Sequence, residues 1–187
     1  MNNIMIDIET LGTAADAVIL SIGAVRFDPH AVKDPEVTDC FYALVDLDQP
    51  DRTVTDSTFR WWLGQDEEAR FPLTSKQNVV SPELLPLALF RLHTMIAKTT
   101  VEGVWGNGAD FDNAILQHAW SHTDHKTTPL WPYKANRCFR TFIAMSDPRR
   151  ECAPQMNTHN ALEDALNQAR WMQRIFARAR GEELCSL

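Results

Sequence analysis

Three β-type segments at the start of the chain constrain the fold more than any other feature. They cover residues 3–9, 18–27 and 40–47, and the first is rich in isoleucine. Turn residues such as Gly12 and the pair Asp28-Pro29 separate them, which is typical of strands joined by turns. Because the links are short, the sequence predicts an antiparallel meander.

The pattern changes to a helical period after the third segment. Residues 57–65 form a predicted short helix, and Ser81-Pro82 is expected to begin a longer helix that ends near Lys98. The reason is that Ser is a favoured N-cap and Pro a favoured first helical residue. A strand over 101–105 follows, and a helix between strands allows a crossover, so this strand is expected to lie parallel to the first.

The remaining segments are two further predicted helices and one loop. The helices cover residues 111–120 and 160–178. Residues 121–136 are polar and contain Pro129 and Pro132, so we expect a long, mobile loop there.

Length and charge narrow the class of protein. The chain has 187 residues, which favours one domain over residues 1–187. No apolar run approaches the roughly 20 residues needed to cross a bilayer, so we expect a cytoplasmic protein with no membrane partner. The net charge of −7 argues against non-specific coating of nucleic acid. It does not exclude a nuclease, because a cation site built from carboxylates is itself acidic.

Two carboxylates stand at the end of the first predicted strand. Asp7 and Glu9 are two residues apart and therefore share one face of the strand. Two unit charges about 4 Å apart repel by roughly 4 kcal/mol at an effective dielectric near 20. A divalent cation removes that repulsion, and ligation by oxygen alone favours Mg²⁺ or Mn²⁺ over zinc. The alternative is a solvent-exposed pair that binds nothing.

A second candidate site element lies in residues 105–116. Here Asp112 falls on the first turn of a predicted helix, whereas Asp110 falls at the expected N-cap. We therefore expect Asp112 to bind a metal and Asp110 to cap the helix. The preceding bend, Gly106-Asn107-Gly108, is interpreted as a tight turn, with a phosphate cradle as the alternative.

The third element is the start of the last predicted helix. It supplies His159 and Asp164, five residues apart. An imidazole is largely neutral at pH 7 and can accept a proton from water. Glu163 lies about 100° around the helix from Asp164, so only one of them can face the other carboxylates. Asp164 is the better candidate because Ala161 and Ala165 are small neighbours.

Taken in order, these motifs resemble the DEDD exonucleases, in their histidine-containing DEDDh branch. The resemblance is carried by Asp7-Ile8-Glu9, then Phe111-Asp112, then residues 159–164. Residues 59–65, 105–108 and 137–141 further resemble a phage and bacterial subgroup of compact 3′–5′ exonucleases. The resemblance implies an α/β, ribonuclease H-like fold of three layers, with a mixed central sheet and helices on both faces.

The same resemblance implies a mechanism and a substrate class. It implies two Mg²⁺ or Mn²⁺ ions, a histidine that activates water, and a nucleoside 5′-monophosphate product. The substrate would be the 3′ end or single strand of a nucleic acid, either DNA or RNA. The implied ligands of the ions are Asp7, Glu9, Asp112 and Asp164, and the implied base is His159.

Several residues are further candidates for contact with the substrate. The resemblance assigns the terminal nucleotide to Thr10 and Leu11, although Leu11 is equally well explained as a buried leucine. Asn107 belongs to the glycine-rich bend. A basic cluster suits phosphates, or alternatively balances acidic neighbours; it consists of Arg137, Arg140, Arg149 and Arg150.

Two aromatic and histidine-rich patterns carry weaker interpretations. Trp61 and Trp62 could stack on bases, but core packing or the contact of a homodimer is favoured. His118, His122 and His125 resemble a zinc site only in spacing, and no cysteine lies near them in sequence.

Two rival functions remain open at this point. An inactive nucleic-acid-binding module would be favoured if a metal carboxylate or the histidine were missing, and the sequence retains them all. A small-molecule phosphodiesterase that uses the same metals is not discriminated by the sequence.

Overall fold

A five-stranded mixed sheet forms the centre of the protein. The computed structural model describes residues 2–31, 39–74, 81–125, 127–154 and 159–182. The strands lie in the order β3-β2-β1-β4-β5. Their bounds are β1 Asn3–Thr10, β2 Ile19–Phe27, β3 Cys40–Leu44, β4 Gly103–Gly106 and β5 Asn136–Cys138. The first three strands are antiparallel, and β4 is parallel to both β1 and β5, which confirms the predicted meander and crossover.

Helices cover both faces of the sheet. They are α1 Asp56–Leu63, α2 Phe71–Thr74, α3 Leu85–Ala97, α4 Ala114–Ser121, α5 Phe139–Ser146 and α6 Ala161–Ala179. A π-helical turn, Ala109–Asn113, leads from β4 into α4. Among the helices of the described ranges, none is both long and apolar enough to cross a bilayer.

Strand alternation decides which helices each residue of β1 meets. Ile4, Ile6 and Ile8 pack with α3 and α4 in one core cluster, whereas Met5 packs in a second cluster with α6. Because side chains alternate along a strand, Asp7 and Glu9 share the face of Met5. Both carboxylates therefore point toward the layer that contains α6.

The start of α3 differs from the prediction. The helix begins at Leu85, with Leu84 as N-cap and Pro86 in the first turn, so Ser81-Pro82 does not begin it. The residues before it are extended instead: Glu83 donates its amide to the carbonyl of Leu44 and accepts from Asp46. Backbone pairing beside β3 thus overrides the local Ser-Pro signal.

The predicted loop over residues 121–136 is partly core. Within its described residues, Leu130 and Trp131 are buried against the cluster of α3 and α4, and the indole of Trp131 donates to Asn136. The part of the predicted loop at Leu130 and Trp131 is therefore anchored in the core, whereas most of its other described residues are exposed. The segment leads into β5 and α5, and the sequence analysis predicted neither element.

Candidate active site

Two glycines allow the elements of the site to approach one another. Gly23 pairs with Asp7 across β1 and β2, and a Cβ atom there would lie 2.2 Å from the backbone of Ala161 at the start of α6. At the end of β4, a Cβ atom on Gly106 would lie 2.9 Å from the Cβ of Asp112. Any larger residue would push α6 or the π-helical turn away from β1.

Three carboxylates meet above the end of β1. One oxygen from each of Asp7, Glu9 and Asp164 lies within 4.8 Å of the others. Asp7 and Glu9 are partly buried on the strand, and Asp164 is 9% exposed on the first turn of α6. The side chain of Asn160 caps that turn by accepting hydrogen bonds from the amides of Leu162 and Glu163, at 3.1 and 3.2 Å.

Asp112 joins this group from the π-helical turn. It is 2% exposed, and its Oδ1 accepts a hydrogen bond from the amide of Ile8, the residue between Asp7 and Glu9, at 3.3 Å. Its other oxygen, Oδ2, is buried and has no hydrogen-bond partner among the described residues. We call Asp7, Glu9, Asp112 and Asp164 the carboxylate cluster.

The cluster strongly disfavours its own ionisation. Burial raises the pKa of Asp7 well above its usual value, and the charges of Asp112, Glu9 and Asp164 raise it further. Burial, followed by the charges of Asp164 and Asp112, raises the pKa of Glu9 to about 8. Burial also raises the pKa of Asp112 to about 7, although hydrogen bonds from backbone amides and the charge of Arg140 oppose the shift. Burial is the largest cause of all three shifts, and like charges add to it at Asp7 and Glu9.

The structure separates the chosen carboxylates from their neighbours in sequence. Asp164 faces the cluster, whereas Glu163 is exposed on the next position of α6. Asp112 is buried, whereas Asp110 is exposed. The expected capping role of Asp110 is wrong, because Gly108 occupies the N-cap position of the π-helical turn, with φ +139° and no side-chain cap.

A buried glutamine completes the cluster, and the sequence analysis missed it. Gln168 lies one turn after Asp164 on α6 and is 1% exposed. Its Nε2 donates to Oδ1 of Asp7 at 2.8 Å. The i to i+4 spacing from Asp164 is the sequence signal that could have identified it, because such residues share a helix face.

His159 lies beside the tryptophans of α1. Its ring meets that of Trp61 edge-on, with centroids 4.9 Å apart, and that of Trp62 at 6.1 Å. Trp62 is buried, and its indole donates to the carbonyl of Thr10, next to Glu9, at 2.8 Å. Trp61 remains 44% exposed. The imidazole therefore lies against α1, and Trp62 connects it to the chain that follows the acidic pair.

The residues that follow the acidic pair are themselves buried. Leu11 packs in a core cluster that includes Trp62, which favours the buried-leucine alternative over a wedge between bases. Thr10 donates its hydroxyl to the carbonyl of Gly12 at 2.6 Å. Neither side chain offers much surface to a ligand in this arrangement.

The arginines of the predicted basic cluster separate in the structure. Arg140 approaches Gly108, near Asp112. Arg137 turns to the carbonyls of Lys134, Asn136 and Glu102, at the beginning of β4 and not at its end. Arg149 lies 3.9 Å from Glu151, and Arg150 covers the ring of Trp171. The four arginines therefore do not form one cluster. Of the four, Arg140 is the one beside Asp112, and the pairing of Arg149 with Glu151 agrees with the alternative of balancing acidic neighbours.

The histidine run does not form a metal site. His118 and His122 have adjacent rings, but Nδ1 of His122 bonds the carbonyl of His118, and His125 packs against Phe90 and Trp120 instead. Within the described ranges, the carboxylates of Asp7, Glu9 and Asp164 are the only group with metal-ligand spacing.

The carboxylate cluster fits a hard divalent cation. All its donors are oxygens, which Mg²⁺ and Mn²⁺ favour. The orphaned Oδ2 of Asp112 is a buried polar atom that calls for a partner, and a bound cation would relieve the repulsion between the ionised carboxylates.

Comparison with known proteins identifies the family and the fold. The model of the 3′-5′ exoribonuclease Rv2179c-like domain matches residues 2–176. An exodeoxyribonuclease of Enterobacteria phage T4 is 33% identical over 91 residues, which are 43% of this chain and 38% of the phage protein. The chain therefore aligns with less than half of that relative.

Solved structures share the architecture at low sequence identity. The RNase domain of the yeast Pop2 protein aligns with 98% of this chain and 80% of its own, at a TM-score of 0.63 and 9% identity. Zinc-bound E. coli exonuclease I in complex with single-stranded DNA aligns with 95% of this chain and 40% of its own, at a TM-score of 0.59 and 15% identity. These likenesses confirm the ribonuclease H-like fold, and the chain belongs to the family of 3′-5′ exoribonuclease Rv2179c-like domains.

Proposed function

We propose that this chain is a metal-dependent exonuclease that hydrolyses nucleic acid from the 3′ end. The observation that carries the proposal is the convergence of carboxylates from β1 and α6, with Asp112 of the π-helical turn bonded to β1 between Asp7 and Glu9, in a member of a 3′-5′ exoribonuclease family. Such a convergence is costly without cations, and its cost is explained if binding cations is its purpose.

The carboxylate cluster would hold two Mg²⁺ or Mn²⁺ ions. Oxygen ligands from separate elements leave room for water and for a phosphate oxygen. When bound, such ions supply stabilisation of the attacking hydroxide and of the leaving 3′ oxygen. The neighbour E. coli exonuclease I, described with zinc and single-stranded DNA, supports a cation and a single strand as ligands of this fold.

His159 would act as the base that takes a proton from the attacking water. Its imidazole is exposed and stands against Trp61, so it can exchange protons with solvent after each turnover. Attack on the terminal phosphodiester would release a nucleoside 5′-monophosphate and leave a new 3′ hydroxyl. General-base help of this kind commonly contributes about 10²–10⁴ in rate.

Three groups near the cluster would bind the substrate. Arg140 stands beside Gly108 and Asp112, which suits a phosphate oxygen. Asn107, in the bend between β4 and the π-helical turn, would contribute there as well. The family resemblance assigns the terminal nucleotide to Thr10 and Leu11. Since both side chains are buried, their backbone would make this contact.

The relatives differ in the sugar of their substrate. The family description names an exoribonuclease, whereas the phage relative is an exodeoxyribonuclease. We therefore propose a 3′ end of either nucleic acid as substrate and let the experiment distinguish them.

The decisive experiment is a digestion of matched DNA and RNA strands, each labelled at the 3′ end or at the 5′ end, with added Mg²⁺ or Mn²⁺. The proposal requires that 5′-labelled strands shorten by one nucleotide at a time, while 3′-labelled strands release a mononucleotide at once. The matched control is Asp164→Asn, which removes one charge of the cluster at nearly constant volume.

Other outcomes point to other functions. Cleavage restricted to dinucleotides would indicate a small-molecule phosphodiesterase that uses the same carboxylates. Binding of a strand without cleavage under any metal would indicate a nucleic-acid-binding module. Either result overturns the exonuclease proposal.

A further inference from the structure

A glutamine side chain lies between the carboxylate cluster and the body of α6. Gln168 is 1% exposed, and it stands one helical turn after Asp164, so both side chains face β1. Its Nε2 donates to Oδ1 of Asp7 at 2.8 Å. Asp7 thus receives a hydrogen bond from the same helix that carries another carboxylate of the cluster.

The second polar atom of this amide is its carbonyl oxygen. Oε1 of Gln168 is buried and accepts no hydrogen bond from any of the described residues. A buried acceptor without a donor costs about 1–3 kcal/mol, so native proteins rarely retain one unless water, an ion or a function supplies the missing partner. The donor has to come from outside the described part of the chain.

The carboxylate cluster next to Gln168 offers a source for that donor. A divalent cation bound by carboxylates keeps part of its hydration shell, and each of its waters presents polarised O–H groups. Such a water is a strong donor to an amide oxygen, because hydrogen bonds from charged or polarised groups exceed neutral ones in strength. One amide would then serve both sides of the site, with its N–H on Asp7 and its oxygen on a cation-bound water.

We propose that Gln168 is a positioning residue of the cation site: its Nε2 fixes the rotation of the Asp7 carboxylate, and its Oε1 accepts a hydrogen bond from a water of the bound cation. The inference rests on the proposed function, because it presupposes that the carboxylate cluster binds Mg²⁺ or Mn²⁺. Residues that orient metal ligands typically contribute about 10–100-fold to metal affinity.

The chain contains a matched control on the same helix. Gln173 is also buried, at 5% exposure, and its Nε2 donates to the backbone carbonyl of Asp28 at 3.0 Å. Replacement of either glutamine by methionine removes a buried amide at similar volume. Only Gln168→Met removes a contact with the carboxylate cluster.

The test is calorimetric titration of the full chain with Mg²⁺ alone and with Mn²⁺ alone, in the absence of nucleic acid. We expect Gln168→Met to weaken cation binding by about 10–100-fold, and Gln173→Met to bind as the unmodified protein does. We expect the metal-free melting temperatures of the two variants to be similar. If Gln168→Met does not fold, Gln168→Asn keeps a polar side chain that is too short for both contacts and should show the same weakening.

The possible results distinguish the role of Gln168 from the proposed exonuclease function. Cation binding by Gln168→Met that equals that of the unmodified protein overturns the role of Gln168 and leaves the exonuclease proposal intact. An equal loss in Gln173→Met would reduce the effect to general packing and also overturn it. A failure of the unmodified protein to bind either cation overturns the inference together with the proposed function.

Discussion

The carboxylate cluster and His159, the two sides of the candidate site, are held by different kinds of contact. The carboxylate cluster stands on a central strand and on the starts of two helices, and it is fixed by hydrogen bonds from Ile8 to Asp112 and from Gln168 to Asp7. His159, by contrast, is exposed, and its described contacts are ring contacts with Trp61 and Trp62.

In the proposed reaction, the carboxylate cluster and His159 have different tasks. Ligands of a cation have to be preorganised, because a displaced oxygen costs affinity directly. A base that exchanges protons with water has to reach solvent. In the proposed reaction, a buried and hydrogen-bonded cluster beside an exposed imidazole would meet both requirements. Substitutions in the cluster should therefore be tolerated least.

The largest effect is expected from single charges of the cluster. Asp112→Asn or Asp164→Asn should reduce turnover to background while the fold is retained, because each removes a ligand charge at nearly constant volume. Asp110→Asn and Glu163→Gln should retain most activity, since both residues are exposed. The measurement is the initial rate of mononucleotide release at saturating Mg²⁺. The reverse ranking would contradict the assignment of the cluster.

A smaller but still large effect is expected on the exposed side. His159→Ala should lower kcat by about 10²–10⁴-fold while cation binding is unchanged, because the imidazole does not belong to the cluster. His122→Ala serves as the control, since among the described residues this exposed ring hydrogen-bonds neighbours in sequence, Ser121 and His118, at the end of α4. A kcat within twofold of the unmodified enzyme would remove the proposed base.

The carboxylate cluster could be predicted from sequence better than the position of His159. The period of a strand puts Asp7 and Glu9 on one face, and the period of a helix separates Asp164 from Glu163. These are local rules, and they require no knowledge of the rest of the chain. The placement of His159 against Trp61 joins residues 98 positions apart in the chain, which no local pattern encodes.

Tertiary contacts also explain where the structure differs from the sequence-based predictions. Ser81-Pro82 carries a helix-start signal, but pairing of Glu83 with the chain at Leu44 makes the segment extended. Strand β5 has only three residues, two of them exposed, so it shows no alternation and exists because it pairs with β4. The close approach of Ala161 to Gly23 is likewise a tertiary contact that no local pattern encodes. It nevertheless determines the position of Asp164.

One added methyl group at Gly23 should disrupt the close packing of α6 on β2. In Gly23→Ala, the new Cβ would lie 2.2 Å from the backbone of Ala161, and a helix backbone cannot yield as a flexible side chain can. We expect a loss of about 1–3 kcal/mol in the free energy of unfolding, together with weaker cation binding because Asp164 moves with α6. Chemical denaturation and calorimetry measure the two effects.

Gly64→Ala is the control for this variant. A Cβ atom there would lie 3.4 Å from the carbonyl of Trp61, which is ordinary contact distance, and the backbone at Gly64 is right-handed helical. If both alanine variants are equally stable and bind cations equally well, the close packing of α6 on β2 does not position Asp164.

The charge of the cluster should also be visible in the pH dependence of stability without metal. Burial and neighbouring charges raise the pKa of Glu9 to about 8 and that of Asp112 to about 7. Between pH 4.5 and these values the folded state holds protons that the unfolded state has released, so stability falls as pH rises. With EDTA present, the melting temperature should therefore decrease by several degrees from pH 5.5 to pH 8.

Added Mg²⁺ provides the complementary measurement. A ligand that binds only the folded state raises its stability by mass action, and deprotonated carboxylates bind it best. The increase in melting temperature caused by Mg²⁺ should thus be larger at pH 8 than at pH 5.5. In Glu9→Gln, the metal-free decrease should become shallower, and an unchanged slope would mean that Glu9 does not titrate in this range.

The smallest effect on turnover is expected from removing the aromatic contact of His159 with Trp61. Trp61→Ala removes the ring that meets His159 at 4.9 Å, and such pairs contribute about 0.5–1.5 kcal/mol, or roughly 2–10-fold in rate. If Trp61 positions the imidazole, kcat should fall by that factor while cation binding is unchanged, and Trp61→Phe should restore most of it. Phe59→Ala, which removes a similarly exposed ring from the same helix, should have no such effect. A fall in cation affinity in Trp61→Ala would show instead that the aromatic contact supports the cluster, and the two sides of the site would then be one mechanical unit.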